Sequence, residues 1–424
     1  MKFKIFVSFL LCSVCAATAI AQTLEPGKET NRPRVIVTDD IKKTGPVAAP
    51  VEKTIVVGQE KTASDDPAAI DEEVRDTPAK ETGEARMLSF GEIRARMNEA
   101  KRQMRIKPLR ISMADDSQTT DIVRVAFLDY KKNKLDYVVL SKEEFLSKDT
   151  QSIHKTERGS TVRVQTIRGN GVNTPVKIFN MMNEPQLPLI VQYPVERGGK
   201  FIEMSYYVST HPGIVTPETV NAGRMYVRNV LNIARERLSE RGQFIQPKVM
   251  DIAERLALVE HVDHWRFRNE PHPNIFNDVY VLYAFNEGQT YRYSVSSAGA
   301  GGMVQMIPAT YRMIRSRFPN VPLTPDFVVG MRDHVNAAQA MLLYMQMTWN
   351  DLSSNSTVIS AMDEGIATPE QLMAAGYNSN PARLPGYIKR GGENWTDLIP
   401  RETKVYLQIY DSVERHVPLR ARDK

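Results

Sequence analysis

Residues 284–310 read AFNEGQTYRYSVSSAGAGGMVQMIPAT. Glu287 closes an apolar run, and no other carboxylate occurs before Asp326. Between the two acids lies a chain of small residues that leads to Gln305. Val279, Leu282 and Phe285 recur at helical spacing ahead of Glu287, so the acid is expected at a helix C-terminus against apolar walls. The negative helix end and desolvation both disfavour a carboxylate there, and a carboxyl group that keeps its proton can serve as a general acid. SSAGAGG is a turn of minimal side chains, expected to let a ligand approach closely and to present its own N–H groups. Gln305 offers a donor and an acceptor suited to an amide, and Tyr283, Tyr291 and Tyr293 offer flat apolar faces. On spacing alone the same residues also describe an ordinary helix end, a loop and a solvated glutamate.

Around this stretch the chain is helical from about Thr216 to the end. TPETVNAGRMYVRNVLNIARERLSERG opens on Thr-Pro-Glu and stops at a glycine, and PKVMDIAERLALVEHVDHWRF follows as a second helical pattern. Residues 106–212 instead read as strands. DIVRVAFLDY and KLDYVVLS flank KKN, STVRVQTI and PVKIFNMM flank RGNGVNT, and LPLIVQYPV and KFIEMSYYVS flank ERGG, which predicts three strand pairs. SFGEIRARMNEAKRQM predicts a helix with Ser89 as its N-cap. The expected fold class is therefore α+β: a β-rich part at 87–212 and a mostly α-helical part at 213–424. Residues 22–86 are rich in Pro, Glu, Asp, Lys and Thr and nearly free of aromatics, so they are expected to form a disordered tether.

Residues 1–21 have the layout of a secretory signal peptide: a basic start, an apolar run and small residues ending at Ala21. Export to a periplasm, a cell envelope or the outside is expected. Both cysteines, Cys12 and Cys15, lie in that segment, so the mature chain can hold neither a disulfide nor a thiolate site. The formal charge of +5 becomes 5 − 2 = +3 without Lys2 and Lys4, too small an excess for a nucleic-acid role. No second stretch approaches about twenty apolar residues, so no transmembrane span is expected in the mature chain.

Glu287 followed at nine positions by SSAGAGGMVQMIPATY resembles the motif of the SLT-type lytic transglycosylases. AAGYNSNPAR resembles that family's A-Y-N-A-G-P, and IPRETKVYLQIY resembles its P-x-E-T-x-x-Y. The resemblance covers roughly 245–415 and departs from the family at Gly288, Ile307 and Asn380, and in about twenty extra residues before the second block. It implies a goose-lysozyme-like helical domain that cleaves the β-1,4 bond between N-acetylmuramic acid and N-acetylglucosamine in peptidoglycan strands. It implies no cofactor. Most glycosidases flank the bond with two carboxylates. This family uses one, as acid and then base, while the substrate's acetamido group attacks and its C6 hydroxyl closes a 1,6-anhydro ring. By resemblance Glu287 is the acid/base, Ser296 and Gln305 contact the acetamido region, Tyr377 binds substrate near the acid, Asn378 shapes that loop, and Glu402 lines the groove. The alternatives are a hydrolytic muramidase of the same fold and a degenerate, non-catalytic glycan-binding or scaffold protein.

His261, His264 and His272 lie close in sequence, and His261 and His264 have the i, i+3 spacing of a helical metal pair. Packed, hydrogen-bonded histidines are the preferred reading, and no metal is expected. Tyr206-Tyr207 reads as half-buried strand residues ahead of a glycan platform.

Overall fold

The computed structural model describes residues 88–109, 121–197, 199–420 and 422, and the short pairs 36–37, 113–114 and 117–118. The expected signal peptide lies outside the described residues, as does the expected tether apart from Ile36–Val37, which pair antiparallel with Ser294–Val295.

Helix α1, Phe90–Ile106, starts where Ser89 closes a capping box: its hydroxyl accepts the Glu92 N–H at 3.2 Å and the Glu92 carboxylate accepts the Ser89 N–H at 2.9 Å. Its apolar face, Ile93, Met97, Ala100 and Met104, is fully covered and lies on the sheet. The sheet contains β1 (Ile122–Asp129), β2 (Lys134–Ser141), β3 (Gln151–Lys155), β4 (Thr161–Thr166), β5 (Val176–Asn180), β6 (Pro185–Arg197) and β7 (Lys200–Tyr207). Its order is β2-β1-β6-β5-β4-β3, with β7 also on β6 and every pairing antiparallel. The three expected strand pairs are formed. β6 pairs with β5 through Pro185–Gln186, with β1 through 187–192 and with β7 through 191–197, and this sharing of one long strand curls the sheet. The strand β3 went unforeseen because QSIHK has no buried face; Ile153 on it is 64% exposed.

Among the described residues there are thirteen α-helices, and most follow the sheet. Thr216 caps α3 (Pro217–Ser239), which packs on α6 (His272–Asn286) and α9 (His334–Ser353). α3 and α6 meet backbone to backbone at Gly223, where a Cβ would lie 1.9 Å from the Tyr280 carbonyl oxygen. Gly223→Ala is therefore expected to force the helices apart and cost about 1–3 kcal/mol or more, read as a lowered denaturant midpoint. An unchanged midpoint would mean that the two backbones are not in contact.

The β-rich and helical parts share one buried cluster that runs from Ile93 to Val417. The boundary at 212 is crossed by hydrogen bonds. The Val208 N–H donates to the Asn286 side-chain oxygen at 2.8 Å, and the Asn286 amide donates to the Val208 carbonyl at 2.9 Å. The Tyr291 N–H donates to the Tyr207 hydroxyl, and Arg292 and Arg332 each approach Glu203 at 3.6 Å. A chain cut at 213 would leave Asn286 buried without these partners. Among the described residues no helix is long and apolar enough to cross a membrane.

The second helical pattern does not run through to Phe267. α4 (Pro247–Val259) ends at Glu260, a turn follows, and α5 (His264–Asn269) starts anew under the Asp263 cap. His261 and His264 thus share no helix face. This break places Glu260 where a helix opens onto a cavity.

Candidate active site

A cavity of about 460 Å³ lies between the end of α4, the loop 296–307, the end of α11 (Pro369–Asn378) and α13 (Arg401–His416). Ser296, Gln305, Tyr377 and Asn378 all line it, so residues 82 positions apart in sequence (378 − 296) meet in one place. Among the described residues its one lining carboxylate is Glu260. Glu287 is not on its wall. It follows α6 at the helix C-cap and is half exposed, and its Oε1 lies 2.7 Å from Arg94 Nη2 of α1. The expected apolar enclosure of Glu287 is absent; its neighbour is a half-exposed cation, and Glu287 lies outside the cavity lined by the loop 296–307. Glu402 is in the first turn of α13, partly buried, and does not line the cavity either.

Glu260 caps the C-terminus of α4, and its Oε1 accepts the Tyr406 hydroxyl at 2.6 Å. Tyr406 is buried and Tyr377 partly buried, and desolvation pushes both phenols well above their ordinary range, with the Glu260 charge adding to the effect. Both stay protonated, so Tyr406 is a permanent donor to the acid. The Tyr377 hydroxyl donates to the Val304 carbonyl at 2.7 Å and clamps α11 onto the glycine-rich loop. Asn378, the last residue of α11, accepts the Thr403 hydroxyl at 2.9 Å, which fixes it from α13.

The loop itself is bonded inward. The Ser296 N–H donates to the Ala300 carbonyl at 2.8 Å, and the Ser296 hydroxyl oxygen accepts the Ala300 N–H at 3.0 Å. The N–H groups of Gly299, Gly301 and Gly302 go to Ser296, Met306 and Ser294 carbonyls. The expectation that this turn would offer its N–H groups to a ligand is therefore corrected: these are used to hold its shape. Gly302 has φ +68°, and a Cβ there would meet the Met331 carbonyl oxygen at 2.4 Å, so close packing accounts for this glycine. Gln305, itself at φ +46°, donates both amide hydrogens, to the Ser294 hydroxyl at 3.1 Å and the Gly302 carbonyl at 2.8 Å. What it can offer a ligand is its carbonyl oxygen.

The histidines separate. His261 is buried, stacked flat on Tyr291 at 3.4 Å, and bonded through Nε2 to the Met303 carbonyl at 2.8 Å. His272 bonds the Ser412 hydroxyl and the Phe267 carbonyl, while His264 lines the cavity. Among the described residues no group of three His, Cys, Asp or Glu side chains is placed to hold a metal ion. Tyr291 is thus a packing residue. Tyr206 carries Lys101 and Arg105 over its ring at 5.7 and 5.3 Å, so cations cover the face that a glycan would need.

Glu260, Tyr406 and His264 were not singled out for this site by sequence. Tyr406 ends the third motif, P-x-E-T-x-x-Y, and Glu260 ends the apolar run LALV. That run was a usable signal, obscured because the helix pattern continued past it. No protein-family model, curated protein or solved structure matches this chain.

Proposed function

We propose that this protein is a peptidoglycan lytic transglycosylase, with a lysozyme-like helical part, exported to the cell envelope, and that Glu260 is its acid/base. The observation that carries this reading is the cavity in which residues of all three motif blocks surround a single carboxylate. One acid is the number this chemistry uses, and a two-carboxylate hydrolase needs a partner that none of the described lining residues supplies.

In this mechanism Glu260 donates its proton to the glycosidic oxygen as the C1–O bond breaks. The acetamido oxygen of the same sugar takes C1. The Gln305 carbonyl oxygen accepts the acetamido N–H and so holds that group against C1; Tyr406 keeps the carboxyl oriented. The C6 hydroxyl then attacks C1, displaces the acetamido oxygen and returns its proton to Glu260. Ser296 and Tyr377 act by fixing the loop that carries Gln305.

Mass spectrometry of peptidoglycan digested by the protein tests the reading. Products ending in 1,6-anhydromuramic acid are expected. Reducing ends would make it a muramidase hydrolase, and intact strands would make it a binding protein.

A further inference from the structure

We propose that α5 carries a second sugar-binding position just outside the cavity, with Trp265 as its stacking face. The proposal rests on the reading of the cavity as a glycan site. Trp265 is 62% exposed, whereas Trp395 is 1% exposed and Trp349 is partly buried. An indole left in water is unusual for so large an apolar side chain.

Trp265 also sits on a rigid mount. α5 has no buried residue of its own, yet it is held at every turn. Asp263 Oδ1 accepts the N–H groups of Trp265 and Arg266, each at 2.9 Å. Arg266 donates to Glu270 at 2.8 Å and to Asp278 of α6 at 2.7 Å. Arg168, from the β-rich part, approaches Asp263 at 3.7 Å. Phe267 stacks on His272 with ring centres 4.0 Å apart. A short helix packed on the core through Phe267 and pinned by ion pairs presents its exposed ring in one place, which lowers the entropy cost of binding to it.

The residue before Trp265 connects it to the cavity. His264 lines the cavity, and burial lowers its pKa to about 4, so the ring is neutral at pH 7. His154, His211, His261, His272 and His334 are each hydrogen-bonded within the protein. Among the described residues no such bond is made by the His264 ring. A neutral imidazole facing a cavity can bond a sugar hydroxyl, and the exposed Trp265 is the next residue of the same short helix. The neighbours Arg268 and Asn269 are exposed and polar. A flat apolar face with polar groups around it fits a pyranose ring, whose C–H face is apolar and whose rim is hydroxylated.

Calorimetric titration of the full chain with the hexamer and the dimer of β-1,4-linked N-acetylglucosamine tests this. Trp265→Ala is expected to weaken hexamer binding about 2- to 10-fold and leave dimer binding unchanged, with Trp265→Phe close to wild type. On peptidoglycan it should raise KM and leave kcat unaltered. Equal hexamer affinity in wild type and Trp265→Ala would overturn the proposal and leave the cavity reading standing. Failure of both oligosaccharides to bind wild type would overturn both. Loss of binding to anionic lipid vesicles in Trp265→Ala, with hexamer binding intact, would assign the indole to a membrane surface instead.

Discussion

Glu260→Gln should abolish strand cleavage, and Glu287→Gln should leave turnover within a few-fold of wild type. The amide keeps the shape of the side chain and can still accept the Tyr406 hydroxyl, but it has no proton to give. A positioned acid/base contributes about 10²–10⁴-fold, and a single group that serves both bond cleavage and ring closure is expected at the top of that range. Glu287 is different in kind. Its ion pair with Arg94 is half exposed on both sides, and such pairs contribute about 0–1 kcal/mol to stability. Release of soluble muropeptides from purified peptidoglycan measures both variants. An inactive Glu287→Gln beside an active Glu260→Gln would return the acid role to Glu287 and refute the site described above.

The sequence points to Glu287 and the cavity holds Glu260 instead, and this difference shows which information a sequence carries. Nine positions separate Glu287 from Ser296, and that interval matches the motif. Spacing measures path length, however, and this path does not lead back. After Glu287 the chain makes a 3-10 turn, passes through Tyr291 at φ +58°, stacked on the His261 ring, and reaches Ser296 on the wall of a cavity that Glu287 does not line. Glu260 reaches the same loop through space, with α5 and α6 intervening in sequence. The four other cavity residues were legible because each sits inside a compact block whose small side chains and turns are locally determined. The strand pairs were legible for the same reason, since alternation and turn residues are local signals. What joins the sheet to the helices was not. Asn286 bonding the Val208 backbone depends on a fit between surfaces that no local pattern encodes. The end of α4 was misplaced because apolar spacing continues through His264-Trp265 while the backbone stops at a cap, and a cap competes with the pattern only through Asp263.

Acid should unfold this protein well above the pH at which ordinary carboxylates titrate. His261 and His334 are buried, and desolvation lowers their pKa values from 6.5 to about 3 and about 4. The ring of His334 lies between the Tyr226 hydroxyl at 2.9 Å and the Thr290 carbonyl at 2.8 Å, one acceptor and one donor contact that satisfy a neutral imidazole. His261 is likewise bonded as a neutral ring to Met303. Above pH 6.5 both states of the chain leave these rings uncharged, and they add no pH dependence. Between 6.5 and about 4 the unfolded chain binds the protons and the folded chain does not, so stability falls as pH falls. Each ring contributes a slope of about 1.4 kcal/mol per pH unit, or about 3 for the two. Domains are stable by only about 5–15 kcal/mol, so two units of acidification remove a large share. Denaturant midpoints measured at pH 7.5, 6.5, 5.5 and 4.5 should be flat over the first interval and drop steeply thereafter, and His334→Gln should reduce the slope by about a quarter, because His211 and His264 are lowered to about 4 as well. A midpoint independent of pH down to 4.5 would show that these imidazoles take up charge without cost. Cleavage activity should fail no later than the fold does, because His261 follows the proposed acid Glu260 directly and holds the Met303 carbonyl of the loop 296–307. Charging that one ring loosens both the helix end that carries the acid and the loop that carries Gln305.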